Sequence, residues 1–233
     1  MTFAPLNIKT EYSFFDSVLK LESYLDRAIE LGYTTLGICD QDNLFAAYRF
    51  VTLAQKKGLR PVVSFRTDFI FNEQTVELIF VALNTEGYHN LLRISTRKNY
   101  GRAEISDLLG GIVIILKSSD AEFAQYFACD VYFYSEKLTE LKPEQISQMI
   151  AFPSVKYLHP DDAEVLQVLQ SIKNSESDEK ISNTEFLHRP EAYEEFYTEK
   201  FPIALENLNR LVENIQYDLS ENLKLPRFDE SRP

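Results

Sequence analysis

Thr35-Leu36-Gly37-Ile38-Cys39-Asp40-Gln41-Asp42-Asn43-Leu44 is the stretch on which the fold turns. Its first six residues read as a strand covered on both faces, a short apolar run through Cys39 that ends on Asp40, the first of four polar side chains. From Leu44 to Lys57 the period changes. Leu44, Ala47, Tyr48, Val51 and Ala54 recur on one face of a helix, with Asp42 placed to cap its start and Gly58 to end it. A second apolar run, Arg60–Phe69, follows at once. Strand, helix and strand in close succession predict an alternating α/β fold.

The same rhythm extends in both directions. Further strands are expected at Leu6–Lys9, Val76–Leu83, Gly111–Leu116, Val131–Tyr134 and Ile150–Lys156. Asn72-Glu73 leaves little room between Arg60–Phe69 and Val76–Leu83, which predicts a hairpin there. A helix over Leu21–Leu31 carries Leu21, Leu25, Ala28 and Ile29 on one side and closes at Gly32. Others are expected near Tyr88–Ser95, Ser119–Phe127, Pro160–Lys173 and Pro202–Ile215, with an exposed polar loop at Asn174–Glu185. Such a pattern fits an open doubly wound sheet or a closed barrel. The first strand leads into neither a G-x-G-x-x-G nor a P-loop, which favours the barrel.

Composition narrows the function. Hydrophobic residues make up 45% of the 233, enough for a large core, yet no apolar run approaches the ~20 residues of a membrane helix. The start, Met1-Thr2-Phe3-Ala4-Pro5, lacks a secretory signal, and two cysteines, Cys39 and Cys129, form no CxxC motif. A soluble, cytoplasmic protein is expected. The net charge of −12 repels phosphate backbones, so tight DNA binding by this chain is not expected.

In an α/β barrel, chemistry gathers where the strands end. Those positions carry Asn7, Lys9, Glu11 and Asp16, then Asp40, Gln41, Asp42 and Asn43, then Arg66 and Asp68, then Ser154 and Lys156. This is a mixture of amides, carboxylates and cations, without the histidine cluster of a transition-metal centre. The histidines, His89, His159 and His188, are not paired at ligand spacing and read as surface or capping residues.

Several segments, in order, resemble one family. Thr10-Glu11-Tyr12-Ser13-Phe14-Phe15-Asp16 is similar to the T-E-Y-S-L-L-D of PHP (polymerase and histidinol phosphatase) domains in bacterial DNA polymerase III alpha subunits. Leu31-Gly32-Tyr33 through Asp40-Gln41-Asp42-Asn43 resembles their E-L-G-M…T-D-H-G-N, and Glu86-Gly87-Tyr88-His89-Asn90-Leu91-Leu92-Arg93 their E-G-Y-x-N-L-L-x-L-S. Tyr157-Leu158-His159-Pro160-Asp161-Asp162-Ala163 looks like Y-L-x-x-E-D-A, and Glu206-Asn207 and Leu225-Pro226-Arg227-Phe228 like E-N-T and L-P-x-F. The resemblance, of Gram-positive type, implies a distorted (β/α)7 TIM-like barrel with a helical C-terminal extension. It places the barrel domain at residues 1–200 and a helix with a linker toward an absent polymerase palm at 201–233.

Against that pattern, the metal ligands are replaced. Asn7 and Lys9 stand where metal-binding members carry H-x-H, Gln41 replaces the histidine of T-D-H, Arg66 replaces a glutamate, and Ser154 and Lys156 replace D-x-H. Asp16 and Asp40 remain, and Ser119 stands where some members have a cysteine. Protonated lysine and arginine cannot donate a lone pair to a metal. At ~4 Å and an effective dielectric near 20, each unit-charge interaction is worth about 4 kcal/mol. The expectation is a cluster in which Lys9, Arg66 and Lys156 replace the metal charge by pairing with Asp16 and Asp40, with no catalytic residue, metal or cofactor in this chain. The resemblance further implies a parent DNA-directed DNA polymerase whose palm holds magnesium. Implied partners are the palm and thumb of the same chain, and in some relatives a proofreading exonuclease or another replisome subunit. The alternatives are an active metal-dependent phosphoesterase or proofreading 3'-5' exonuclease, and a barrel enzyme using Lys9 or Lys156 for Schiff-base chemistry.

Overall fold

A computed structural model describes residues 2–71, 73–97, 105–135, 143–173 and 182–216. Among the described residues, five strands form one sheet in sequence order: β1 (Thr35–Gln41), β2 (Arg60–Phe71), β3 (Gln74–Ala82), β4 (Ile112–Lys117) and β5 (Val131–Tyr134). The pairs β1–β2 and β4–β5 are parallel, whereas β2–β3 and β3–β4 are antiparallel. The hairpin expected from Asn72-Glu73 is therefore present, and the sheet is mixed. Glu73 turns it in the left-handed region, at φ 68°.

The helices alternate with these strands. They are α1 (Leu21–Glu30), α2 (Ala47–Lys56), α3 (Thr85–Arg97), α4 (Pro143–Ile146), α5 (Asp162–Lys173), α6 (Pro190–Lys200) and α7 (Pro202–Glu213). Helix α1 buries Leu21, Tyr24, Leu25 and Ala28, and Gly32 closes it at φ 83°, where a Cβ would be strained. Ile29, expected on that apolar face, is exposed. Helix α2 starts later than expected, at Ala47, and Asp42 does not cap it. Asp42 lies at φ 60° and accepts a hydrogen bond from Thr67 Oγ1 at 2.6 Å. The Asn43 carboxamide oxygen accepts from the Phe45 amide instead. Ser119–Phe127, expected as an α-helix, is a 3₁₀ helix over Ser118–Tyr126, kinked at Asp120. Helix α6 lies between the expected loop at Asn174–Glu185 and the expected helix at Pro202–Ile215, in a stretch read only as helical in general.

The core sits on both sides of the sheet. Leu36, Ile38, Val62, Phe65, Phe80, Ile114 and Leu116 are buried with Phe3, Leu6 and Ile8 from the N-terminal segment. Helix α7, beyond the boundary expected at residue 200, adds Ala204, Leu208, Leu211 and Val212 to the same core. None of the described helices is long and apolar enough to cross a membrane. Leu225-Pro226-Arg227-Phe228 and most of Asn174–Glu185 lie outside the described residues.

The ladder remains open, and the strand pairing shows a mixed five-stranded sheet rather than a closed barrel. Leu6–Lys9 and Ile150–Lys156, expected as strands, meet through one isolated parallel bridge, Ile8 with Val155. The amides of Gly37 and Cys39 donate to the carbonyls of Pro5 (2.9 Å) and Ile8 (2.6 Å), and Phe133 bridges Met149. Proline at positions 5 and 153 withholds amide donors, and Ser17 Oγ engages the carbonyls of Lys9 and Lys156 that a ladder would use. Gly37 is required beneath the first segment: a Cβ there would lie 2.7 Å from the Leu6 Cα.

Candidate functional site

The first segment, the ends of β1 and β2, and the 153–156 segment come together. Residues 7 and 9 share one side of the first segment because extended side chains alternate. Asn7 is buried, its amide donating to the Phe152 carbonyl at 3.3 Å. Lys9 is held by its backbone amide on the Val155 carbonyl at 3.0 Å, and its Nζ bonds Asp16 Oδ2. Lys156 Nζ lies 3.7 Å from Asp16 Oδ1 and 3.0 Å from Glu185 Oε2. Asp16 thus joins two lysines, and Glu185 takes the second cation of that pair on its other side.

Arg66 and Asp40 behave differently from the expected cluster. The Arg66 guanidinium donates to Asn7 Oδ1 and approaches Glu77 at 3.4 Å and Cys39 Sγ at 3.8 Å, while its Nε meets no acceptor among the described residues. Neither Asp16 nor Asp40 is its ion-pair partner. Asp40 is buried at 1% exposure and accepts three hydrogen bonds of 2.7 Å, from the Thr10 amide, Thr10 Oγ1 and Ser13 Oγ. Hydroxyls and a backbone amide, rather than a cation in contact, satisfy it.

Burial sets the electrostatics. It pushes the Lys9 ammonium below its ordinary value, helped by the repulsion of Arg66, with Asp16 acting in the opposite direction. Burial also raises the Asp40 carboxyl, against the three donors that favour its charge. Cys39 is raised by burial too, so its thiol stays protonated beside Arg66. Charges nearly cancel: Lys9, Arg66 and Lys156 face Asp16, Asp40, Glu77 and Glu185.

The remaining expected positions scatter. Gln41 lies at the mouth above this cluster, and Ser154 lines a different cavity. That cavity, of about 610 Å³, is walled by Tyr134, Phe152, Tyr193, Phe196 and Tyr197 and is largely apolar. Ser119 Oγ bonds only the neighbouring Asp120 carboxylate at 3.3 Å among the described residues. His89 and His159 are exposed, and His188 packs on Phe186. Among the described residues, no three His, Cys, Asp or Glu side chains group so as to hold a metal. The cationic side chains do not fit the metal centre that the family resemblance brings to mind, because they compete with a metal for the carboxylates.

Glu77 and Glu185 were missed by the strand-end reading. Glu77 had a signal: it is a lone charge inside the apolar run Val76-Glu77-Leu78-Ile79-Phe80. Glu185, in a polar stretch, had none.

Comparisons with known proteins bear on this geometry. The DNA polymerase III subunit alpha of Streptococcus pyogenes is 37% identical over 243 aligned residues, covering 99% of this chain and 23% of that protein. That of Buchnera aphidicola is 36% identical over 99 residues, covering 41% of this chain and 8% of its own length. The chain therefore spans about a quarter of the streptococcal relative. Among solved structures, a Bifidobacterium adolescentis protein assigned to the metal-dependent phosphoesterases overlaps 84% of this chain and 95% of its own. Its TM-score of 0.40 at 11% identity carries no argument about chemistry. The family model for the PHP domain matches residues 5–149, more than half of the sequence, and the chain belongs to the PHP domain family.

Proposed function

We propose that this chain is the N-terminal PHP region of a DNA polymerase III alpha subunit, where it serves DNA replication as a non-catalytic structural and interaction module. The observation that carries the reading is the replacement of the ligand set by Lys9, Arg66 and Lys156. Each is neutralised inside the chain, by Asp16, Glu77 and Glu185. A site so filled has its carboxylates engaged by cations and offers a divalent ion no vacant donor set. Template-directed nucleotide addition, with magnesium held by a palm, would belong to the rest of such a polymerase. The streptococcal likeness over nearly the whole of this chain supports that setting.

The same reading treats residues 1–200 as the barrel domain and 201–233 as its helical extension. The bonds from segment 5–9 to β1 and to Val155, and from β5 to Met149, support a distorted barrel closed by bridges rather than ladders. Partners under this reading are the palm and thumb of the parent chain, with a proofreading exonuclease or other replisome subunit as a further candidate. A cytoplasmic location follows from that role.

Elemental analysis of the purified chain, followed by Mn²⁺ and Zn²⁺ titration with melting temperature as the readout, tests the reading. No stoichiometric metal and no thermal shift are expected. Bound metal together with hydrolysis of bis-p-nitrophenyl phosphate would overturn it in favour of an active phosphoesterase.

A further inference from the structure

Above the Lys9–Asp16 pair lies a cavity of about 490 Å³, open to solvent, with Phe14, Phe15, Asp42, Asp68, Glu77 and Lys173 in its lining. Two features of this mouth are unfavourable for the isolated chain. First, Asp68 on β2 stands directly opposite Glu77 on β3, a like-charge pair across an antiparallel ladder. Glu77 is engaged by Arg66 and by the Tyr134 hydroxyl at 2.9 Å, but Asp68 has no ion-pair or hydrogen-bond partner among the described residues. Partial desolvation, and then Glu77 and Asp42, push the Asp68 carboxyl up, against Lys117 and Arg66. Second, large apolar side chains at this mouth face water: Phe14 of the lining is 68% exposed and Phe15 40%, and Ile70, two residues beyond Asp68 on the same face of β2, is 72% exposed.

The aromatic side is also preorganised. Phe15 adopts φ 63°, an unusual conformation for a bulky residue. Consecutive turns hold it, with the Ser13 amide on the Thr10 carbonyl (2.8 Å) and the Asp16 amide on the Ser13 carbonyl (2.9 Å). The buried Asp40 carboxylate ties down Thr10 and Ser13 beneath. A turn that needed only to connect two elements would not require two phenylalanines raised toward solvent on a buttressed base.

We propose that this mouth docks a segment of another protein that presents an arginine between apolar side chains. The guanidinium would sit beside Asp68 and Asp42 and stack on the Phe14 or Phe15 ring, while its apolar neighbours cover Ile70 and the other phenylalanine. Charge complementarity selects this occupant: Asp16 and Glu77 of the lining already meet Lys9, Lys156, Arg66 and Lys117, but Asp68 stands beside Glu77 and Asp42 with no cation in contact among the described residues, and the whole chain carries −12. Arginine suits it better than lysine because a planar guanidinium can pair with carboxylates and stack on a ring at once. A metal ion suits it poorly, since no three donors group to hold one among the described residues. A nucleic acid would be repelled by the same carboxylates. The inference rests on reading the chain as a non-catalytic module and specifies what that module binds.

The test is an NMR titration of the ¹⁵N-labelled 233-residue chain. The probe is an acetylated, amidated peptide alternating arginine with leucine, and its control carries glutamate for arginine. Shifts confined to residues 14–16, 41–42, 68–70 and 77 are expected with the arginine peptide and not with the control. Asp68→Asn and Phe14→Ala, both at exposed side chains, should each weaken binding at least tenfold, and Glu195→Gln on α6 should not. No mouth shifts at millimolar peptide, or equal binding by Asp68→Asn, would overturn the docking proposal. Broadening of the mouth resonances by Mn²⁺ in place of peptide binding would overturn it as well. Phosphodiester hydrolysis in the same sample would instead sink the non-catalytic reading.

Discussion

The Arg66 guanidinium of β2 donates to the carboxamide oxygen of Asn7, so two positions 59 residues apart are tied together inside the chain. The resemblance of the sequence to PHP domains leads one to expect metal ligands at both positions. Here they satisfy one another, and Glu77 supplies the countercharge. The interior is thus held by a polar network that depends on every member being present.

Arg66→Leu removes the donor to Asn7 and the countercharge of Glu77. Breaking a buried pair from one side costs about 3–5 kcal/mol, and urea unfolding should show a loss in that range. Arg66→Lys should recover little, because an ammonium cannot span Asn7 and Glu77 as a fork does. Full recovery by lysine would mean that charge alone matters.

Lys9→Met leaves Asp16 with Lys156 alone, at 3.7 Å. Asp16 is about three-tenths exposed, so solvent screens part of the loss, and about 1–3 kcal/mol is expected rather than the full buried-pair value. Combining Lys9→Met with Asp16→Asn should restore most of it. An unchanged melting temperature in the single variant would show that the pair contributes nothing.

Asp40 sets a pH dependence. Its carboxyl is raised in the folded chain above the ordinary 3.8, chiefly by burial. Between 3.8 and the raised value the folded state therefore holds more protons than the unfolded state. Stability falls as pH rises through that window. Asp40→Asn keeps the shape and the acceptor for Thr10 and Ser13 but cannot ionise. Its unfolding free energy should gain on the native chain as pH rises from about 4, and parallel pH profiles would contradict the assignment.

Gly37→Ala drives a methyl against the Leu6 backbone, which cannot rotate away. Overpacking of this kind costs about 1–3 kcal/mol. The Gly37 and Cys39 amides, which donate to the first segment, should exchange with solvent faster in the variant. Unaltered exchange at both would show that segment 5–9 is not held there.

How far the chain could be read in advance depended on how local each signal was. Thr35–Asp40 and Arg60–Phe69 were legible as strands because their apolar runs and bounding helices lie in one window of sequence. Helix α1 and its Gly32 terminus were legible for the same reason. The ends at Leu6–Lys9 and Ile150–Lys156 were not. A single bridge and a full strand have the same residues, and only the proximity of Pro5, Ser17 and Pro153 to their neighbours separates them.

By itself the sequence determined the alternation of elements, the hairpin at Asn72-Glu73, and the absence of histidines from the strand ends. Those follow from side-chain type and period, which are properties of neighbours along the chain. Which carboxylate each cation meets was decided only by the tertiary structure. Asp16 lies seven residues from Lys9, but Glu77 reaches Arg66 across a ladder and Glu185 reaches Lys156 from a loop. A Coulomb partner is chosen by distance in space and by shared burial, and neither quantity is written in the order of residues.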